Sequence, residues 1–255
     1  MGGKAELSIL SFMKPLRGKA YGSIPHLIGS KLGPGDHHVH EGQHKICTEK
    51  LRDKKDRLLV QEKYDGTNVS VAKIHGEIVP LVRRGYTAES SPFKQHHIFA
   101  EWVKRQNTMF QCLLDDGDRL CGEWLLVAHG LRYAFGSGQI PFVAFDYFRA
   151  NKRIVFAEFL EKAAQFDITT PRLIHAGENA LPIELGLNIL FNDHSHHIKS
   201  SGCLPEGLVY RIERGERVDF LAKYVRADFE PGKYFPEISG GEVVYNISPS
   251  LIYNC

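Results

Sequence analysis

The chain has 255 residues, 43% hydrophobic and 24% charged, the make-up of a soluble globular protein able to bury a sizeable core, which excludes a disordered or collagen-like polymer. Its 32 Lys and Arg against 30 Asp and Glu leave a formal net charge of +2, too little to announce a polyanion partner without a local basic patch. Five cysteines (Cys47, Cys112, Cys121, Cys203, Cys255) form no C-x-x-C pair and no apolar run is long enough for a signal peptide or a bilayer span, so reduced thiols, no membrane contact and a cytoplasmic location are expected.

Taken in chain order, residues 1–50 are the least regular. Gly22-Ser23-Ile24-Pro25-His26 and Gly33-Pro34-Gly35-Asp36 are turn-rich, and residues 1–57 are expected to pack as an N-terminal extension on the rest. The run from Glu49 to Arg57, dense in both signs of charge, reads as a solvated helical face. From Leu58 the pattern turns to β: Leu58–Val60, Asn68–Ile74 and Ile78–Val82 are short branched runs broken by the turn signals Asp65-Gly66 and His75-Gly76, an antiparallel meander. Pro92 to Met109 carries Phe93, Ile98, Phe99, Trp102 and Val103 at helical spacing. Strands are predicted again at 119–126, 142–147, 207–212 and 220–225, with a helix at 157–165. No internal repeat or linker divides the chain, so a single domain over residues 1–255 is expected, of α+β class, built of antiparallel sheets with flanking helices.

One segment stands out. Glu62-Lys63-Tyr64-Asp65-Gly66-Thr67-Asn68 sets a lysine at a strand end before a turn; alone it reads as a hairpin corner with an exposed amine. Further on come Arg83-Arg84-Gly85, then Gly122-Glu123-Trp124-Leu125 with His129 and Tyr133, then Phe142 to Asp146, Glu206-Gly207-Leu208-Val209, and Ala222-Lys223-Tyr224-Val225-Arg226. This ordered set resembles the motifs of the covalent nucleotidyltransferase superfamily, and the E-K-x-D-G-T-N form of the first resembles its ATP-dependent RNA ligases. The resemblance implies an ATP-grasp-like ligase domain in which ATP and Mg²⁺ (or Mn²⁺) are used to place AMP on Lys63. It departs at the last motif, which usually bears two lysines one residue apart; here Leu221 and Val225 flank Lys223 at that spacing, and Arg226 is the nearest substitute charge.

The roles implied follow residue by residue. Lys63 is the nucleophile. Lys223 and Arg83 line its catalytic and phosphate-binding surroundings, and Glu206 is catalytic and holds the metal. Glu62, Asn68, Glu123 and Phe145 complete the nucleotide site, with Phe145 stacking on the base, Glu62 reading its edge and Glu123 accepting from the ribose. An amine attacks phosphorus only when neutral, and a lysine with a reference pKa of about 10.4 is neutral in about one molecule in 2,500 at pH 7; nearby cations are expected to lower that value. Glu123 and Glu206, carboxylates on core strands, need compensating partners.

With about 30 residues after Lys223, the OB-fold barrel of DNA ligases and capping enzymes is not expected here. Together with Thr67-Asn68 and the Gly122-Glu123-Trp124-Leu125…His129 segment, the resemblance implies RNA with 5′-phosphate and 3′-hydroxyl ends as the substrate, and an end-healing protein as a companion. Alternatives at this stage are a DNA ligase or RNA-capping nucleotidyltransferase working with a partner, and a catalytically decayed nucleotide- or RNA-binding module. His37, His38, His40 and His44, and later His194, His196 and His197, match no zinc spacing and read as surface histidines or a loop near the phosphates.

Overall fold

In the computed structural model, which describes residues 14–136, 138–192, 199–200 and 202–252, the branched runs pair into antiparallel sheets, as α+β patterning demands. In chain order the strands are β1 (Asp56–Lys63), β2 (Thr67–Ile74), β3 (Glu77–Val82), β4 (Arg119–Trp124), β5 (Tyr133–Ala134), β6 (Phe142–Arg149), β7 (Lys152–Arg153), β8 (Leu173–Gly177), β9 (Lys199–Ser200), β10 (Gly207–Arg214) and β11 (Arg217–Val225). One sheet has the order β11-β10-β1-β8, a second β3-β2-β4-β6-β7, and β5 pairs with β9. The helices are α1 (Glu41–Thr48), α2 (Lys94–Arg105), α3 (Asn107–Leu113), α4 (Phe156–Gln165), α5 (Ile183–Asn192) and the single turns α6 (Pro236–Ser239) and α7 (Pro249–Ile252).

Strand alternation decides what faces what. On β1, Leu58 and Val60 join a core with Leu208, Tyr210 and Ile212 of β10, under Cys47 of α1 and Leu190 of α5. Their neighbours Leu59, Gln61 and Lys63 point the other way, towards the second sheet. There, Val69 and Val71 of β2 with Leu120 and Trp124 of β4 are covered by Ile98, Phe99, Trp102 and Val103 of α2 and Phe110 of α3. The opposite face of that sheet bears Asn68, Ser70, Cys121 and Glu123, and it fronts a cleft between the sheets.

Four expectations need correction. The runs from Leu58 to Val82 are not one meander: β2 and β3 pair as a hairpin, but β1 pairs with β10 and β8, so residues 64–66 carry the chain from one sheet to the other. The charged run 49–57 is not a helical face: the helix is α1, upstream, where Glu41 and Lys45 pair at 2.7 Å one turn apart, and residues 49–55 are turns leading into β1. Arg52 and Arg214 consume the charge of buried Asp56, at 2.7 and 2.8 Å. The helix expected over 92–109 is two helices, because Gln106 leaves the helical region (φ −88°, ψ 16°). Strand β8 and helix α5 were not anticipated: β8 is half exposed at a sheet edge and lacks clean alternation. Cys47, Cys112, Cys121 and Cys203 are free thiols, as expected. Cys255, His194, His196 and His197 lie outside the described residues.

The sheets are joined at the closed end of the cleft by Arg211, 1% exposed. Its guanidinium donates to Asp146 Oδ1 of β6 at 3.0 Å and Glu213 Oε1 at 2.8 Å, and to the Ile154 carbonyl. Asp146 also accepts from Arg153 Nε at 2.5 Å and the Tyr21 hydroxyl at 3.1 Å. Breaking a buried, fully bonded charge network strands the remaining ions. Arg211→Ala is expected to lose about 3–5 kcal/mol of stability in denaturant unfolding, and a loss below about 1 kcal/mol would show that the network is not what joins the sheets.

Candidate active site

The cleft has an empty volume of about 810 Å³, open to solvent. Lys63, Glu62, Asn68, Arg83, Glu123, Phe145 and Lys223 all line it, and Glu206 stands beside them with Oε2 2.6 Å from Lys63 Nζ. The fold thus brings together all eight residues that sequence reasoning singled out. Gly207 makes this possible by letting β10 and β11 close up: a Cβ there would lie 1.9 Å from the Tyr224 carbonyl oxygen. Gly207 pairs with Lys63 on one side and Val225 on the other, so Glu206 arrives next to the lysine.

The turn after Lys63 is clamped by the segment that follows Glu123. Asp65 Oδ2 accepts from the Gly130 and Leu131 N–H groups at 2.6 and 2.9 Å. The Asp65 N–H donates to the Tyr133 hydroxyl at 2.8 Å. Thr67 Oγ1 meets His129 Nε2 at 3.2 Å, and the His129 ring packs edge-on to Phe235. Asp65, His129 and Tyr133 are therefore turn-holding residues, and the lysine is fixed on both sides.

Asn68 and Glu123 are directly opposite each other on β2 and β4. Phe145 occupies a register break where Cys121 pairs with Asp146 but Gly122 pairs with Ala144. Such a bulge re-aims a side chain: Asp146 goes to the buried arginine network, while Phe145 stays half exposed on the cleft wall, edge-on to Tyr21 with centroids 5.0 Å apart.

Two expected roles meet different surroundings. The Glu62 carboxylate, on the opposite face of β1 from Lys63, is paired with Arg172 at 3.3 Å, and its N–H donates to the Arg172 carbonyl at 2.9 Å. Arg226 does not supply the second charge of the last motif; it donates to the Pro205 and Leu204 carbonyls and pairs with Asp228 at 2.5 Å. Leu221, one of the two residues that flank Lys223 at the spacing of the expected second lysine, lines the cleft.

Sequence reading missed other parts of the site. Gln61, two residues before Lys63 and 4% exposed, lines the cleft with its Nε2 buried and without a partner among the described residues; buried Asn68 Oδ1 is likewise unpaired. Strand periodicity from Lys63 was the signal for Gln61. Buried polar atoms are normally bonded, so these two fit a polar ligand such as a nucleotide. The N-terminal extension, expected only to pack, forms a wall with Tyr21, Gly22 and Ile24. It also runs beside β11: the Leu27 N–H donates to the Lys223 carbonyl at 2.8 Å and the Lys223 N–H to the Pro25 carbonyl at 2.9 Å. Asp36 lies 3.6 Å from Lys223 and is held by His26 Nε2 at 2.9 Å, with His26 Nδ1 on Ser30 Oγ at 2.6 Å. No motif marks this trio. It sets the exposed His37, His38 and His40 beside the Lys223 end of the cleft.

The two cleft lysines differ in their electrostatics. Burial alone would lower the Lys63 pKa, but the Glu206 and Glu123 carboxylates outweigh it and hold the amine above its ordinary value. These carboxylates thus favour the ammonium form of Lys63. Lys223 goes the other way, lowered by burial and by the Lys63 charge. Burial pushes Glu123 up to about 8 against the opposing pull of Lys63, and Glu206 up to about 7, again despite Lys63. Three acids (Glu206, Glu123, Asp65) surround Lys63, with Lys223 and Arg83 on the same cleft wall. That donor chemistry fits a hard divalent cation held by one or two carboxylates and its own waters. Among the described residues no group of three or more His, Cys, Asp or Glu forms a ready metal cage, so such an ion would rely on ligand phosphates as well.

The RNA ligase family model matches residues 56–225, which takes in the first strand, the lysine turn and every later motif through Lys223. This chain belongs to the RNA ligase family. Solved structures similar to it include an archaeal ATP-dependent RNA ligase (form 2), at 21% identity and TM-score 0.44 over 67% of this chain and 42% of that one. A Naegleria gruberi RNA ligase variant with AMP and Mn shows 15% identity and TM-score 0.49 over 82% of this chain and 60% of its own. The chain thus spans 42% and 60% of the lengths of these ligases. No curated protein matches.

Glu123, raised from 4.5 to about 8, binds its proton more tightly in the folded than in the unfolded state. The stability this confers is complete below pH about 4.5 and is lost as pH rises towards 8. A Glu123→Gln variant escapes that loss, so its melting temperature relative to the parent is expected to climb steadily between those pH values. A pH-independent difference would show that burial does not strain this carboxyl.

Proposed function

We propose that this RNA ligase family member is an ATP-dependent RNA ligase that forms a lysyl-AMP intermediate on Lys63 and joins a 5′-phosphate to a 3′-hydroxyl. The observation that carries the reading is Lys63 Nζ in the cleft, 2.6 Å from Glu206 Oε2, among residues that match the family's motifs in order. The relatives named above, one of them with AMP and Mn, agree with ATP and a divalent metal as the cofactors.

The raised pKa of Lys63 fixes what Glu206 must do. The ammonium has to lose a proton before Nζ can attack the α-phosphorus of ATP, and Glu206, hydrogen-bonded to it and pushed up to about 7, is the acceptor in place. The new Nζ–P bond forms as the bond from the α-phosphorus to pyrophosphate breaks, and AMP stays on the lysine. Lys223 and Arg83, both on the cleft wall, stabilise charge on the phosphate oxygens. Phe145 offers a face or edge to the base, Gln61 and Asn68 offer their unpaired polar atoms, and Glu123 lies opposite Asn68 for the ribose. A divalent ion held at Glu206 through its own waters, leaving Oε2 free to take the lysine proton, would neutralise the phosphates. AMP then passes to the 5′-phosphate of the polynucleotide, and the 3′-hydroxyl of the second end displaces it to leave a phosphodiester.

With ATP labelled on the α-phosphate and Mg²⁺, the denatured protein should retain label, and Lys63→Ala should retain none. Glu206→Gln should label at least about 10²-fold more slowly, the usual worth of a positioned acid–base group. Label that persists on Lys63→Ala, or full-rate labelling by Glu206→Gln, would refute these assignments. Joining should require a 5′-phosphorylated RNA strand, and GTP should not replace ATP.

A further inference from the structure

We infer that residues 14–24 and the turn 83–87 after β3 form a single basic rim that holds the phosphodiester backbone of the strand whose end enters the cleft. This rests on the ligase reading above and names the surface that reading leaves open. The two stretches carry Lys14, Arg17, Lys19, Arg83 and Arg84 and not one Asp or Glu. Subtracting these five from the formal net charge of +2 leaves the remainder of the molecule at −3. These two stretches thus form a local basic patch with no acid among them.

The stretches are far apart in sequence but built as one surface. The Ala20 and Tyr21 N–H groups both donate to the Arg83 carbonyl, at 3.0 and 3.2 Å. Lys14 Nζ lies 4.9 Å from the centroid of the Tyr86 ring. Gly85 takes φ +86° and brings its backbone so near residue 18 that a Cβ would sit 2.0 Å from the Gly18 carbonyl oxygen. The side chains of Arg17, Lys19, Arg83 and Arg84 are exposed. Arg83 gives its guanidinium to the Gly22 carbonyl at 3.4 Å and the Ser23 hydroxyl at 3.3 Å, and among the described residues it has no carboxylate partner.

Position gives the rim its meaning. Arg83, Tyr21 and Gly22 line the cleft that holds Lys63, so the rim begins at the reacting phosphate and leads outward from it. A polynucleotide with its 5′ end beside Lys63 lays successive phosphates over Arg84, Arg17, Lys19 and Lys14. Phosphate contacts of this kind position the strand without reading its sequence, and each releases counterions, with a slope of about −0.7 in log K against log salt per neutralised phosphate of a single strand.

The test compares the triple variant R17Q/K19Q/R84Q with K50Q/K54Q/K55Q. Lys50, Lys54 and Lys55 are also exposed, but they precede the far end of β1, roughly 25 Å from Lys63 at the rise of a strand. Both triples remove the same charge. Binding of a 5′-phosphorylated 20-mer RNA is measured by anisotropy across a salt series, alongside melting temperature and labelling by ATP. The rim triple should bind at least about tenfold more weakly at low salt, with a salt slope shallower by about 2, while its labelling and melting temperature stay those of the parent. The control triple should behave like the parent. Equal loss in both triples would reduce the effect to net charge, and parental RNA affinity in the rim triple would sink the inference; either result, with labelling intact, leaves the lysyl-AMP chemistry standing. A parent protein that takes no label would bring down the ligase reading itself.

Discussion

The constraint on which this molecule turns is an ammonium set among more carboxylates than it can satisfy. Lys63 holds Glu206 at 2.6 Å and feels Glu123 and Asp65 as well. Two of those acids are driven well above the ordinary carboxylate range by burial. A fold built for stability alone would not gather buried like charges, because each costs free energy unless paired. The cleft sets these acids against Lys63, Lys223 and Arg83, charges of both signs that suit a ligand bringing phosphates and a divalent cation together.

The architecture serves that balance. Two antiparallel sheets face each other, tied at one end by the Arg211–Asp146–Glu213 network and parted at the other by the cleft. The break in register at Gly122 lets adjacent residues take opposite tasks, Asp146 in the tie and Phe145 on the wall. The N-terminal segment then fills the open side, pairing with β11 at Lys223 and with the β3 turn at Arg83. Asp36, held by His26, pairs with the Lys223 side chain from that segment. One stretch of irregular backbone thus closes the nucleotide wall, steadies Lys223 and supplies half of the basic rim.

Legibility in the sequence followed the range of the interactions. The strand runs at 58–60, 68–74 and 78–82, the β2–β3 hairpin and the α2 amphipathic stripe are set by local periodicity and turn residues and read correctly; that β1 pairs with β10 and β8 instead of β2 depends on long-range partners that local pattern does not show. The eight candidate residues were found because ordered motifs record a shared geometry. Gln61 was within reach of strand alternation but carries no motif. His26, Asp36 and Tyr21 reach the cleft through long-range pairing of a loop, which leaves no periodic trace. The charged run 49–57 misled because Asp56 and Arg52 are there to satisfy each other and Arg214, not to solvate a helix. That Glu206 and Glu123 act directly on the Lys63 amine was not legible either, because sequence spacing does not show which charges lie nearest.

The most direct measurement of the central claim is the ionisation of the Lys63 side chain, followed by NMR on protein carrying labelled lysine. In the free protein its pKa should lie above that of an ordinary lysine, and it should fall once Mg²⁺ and a non-hydrolysable ATP analogue fill the cleft. A Lys63 already depressed in the free protein, or one still raised with metal and nucleotide bound, would contradict the account.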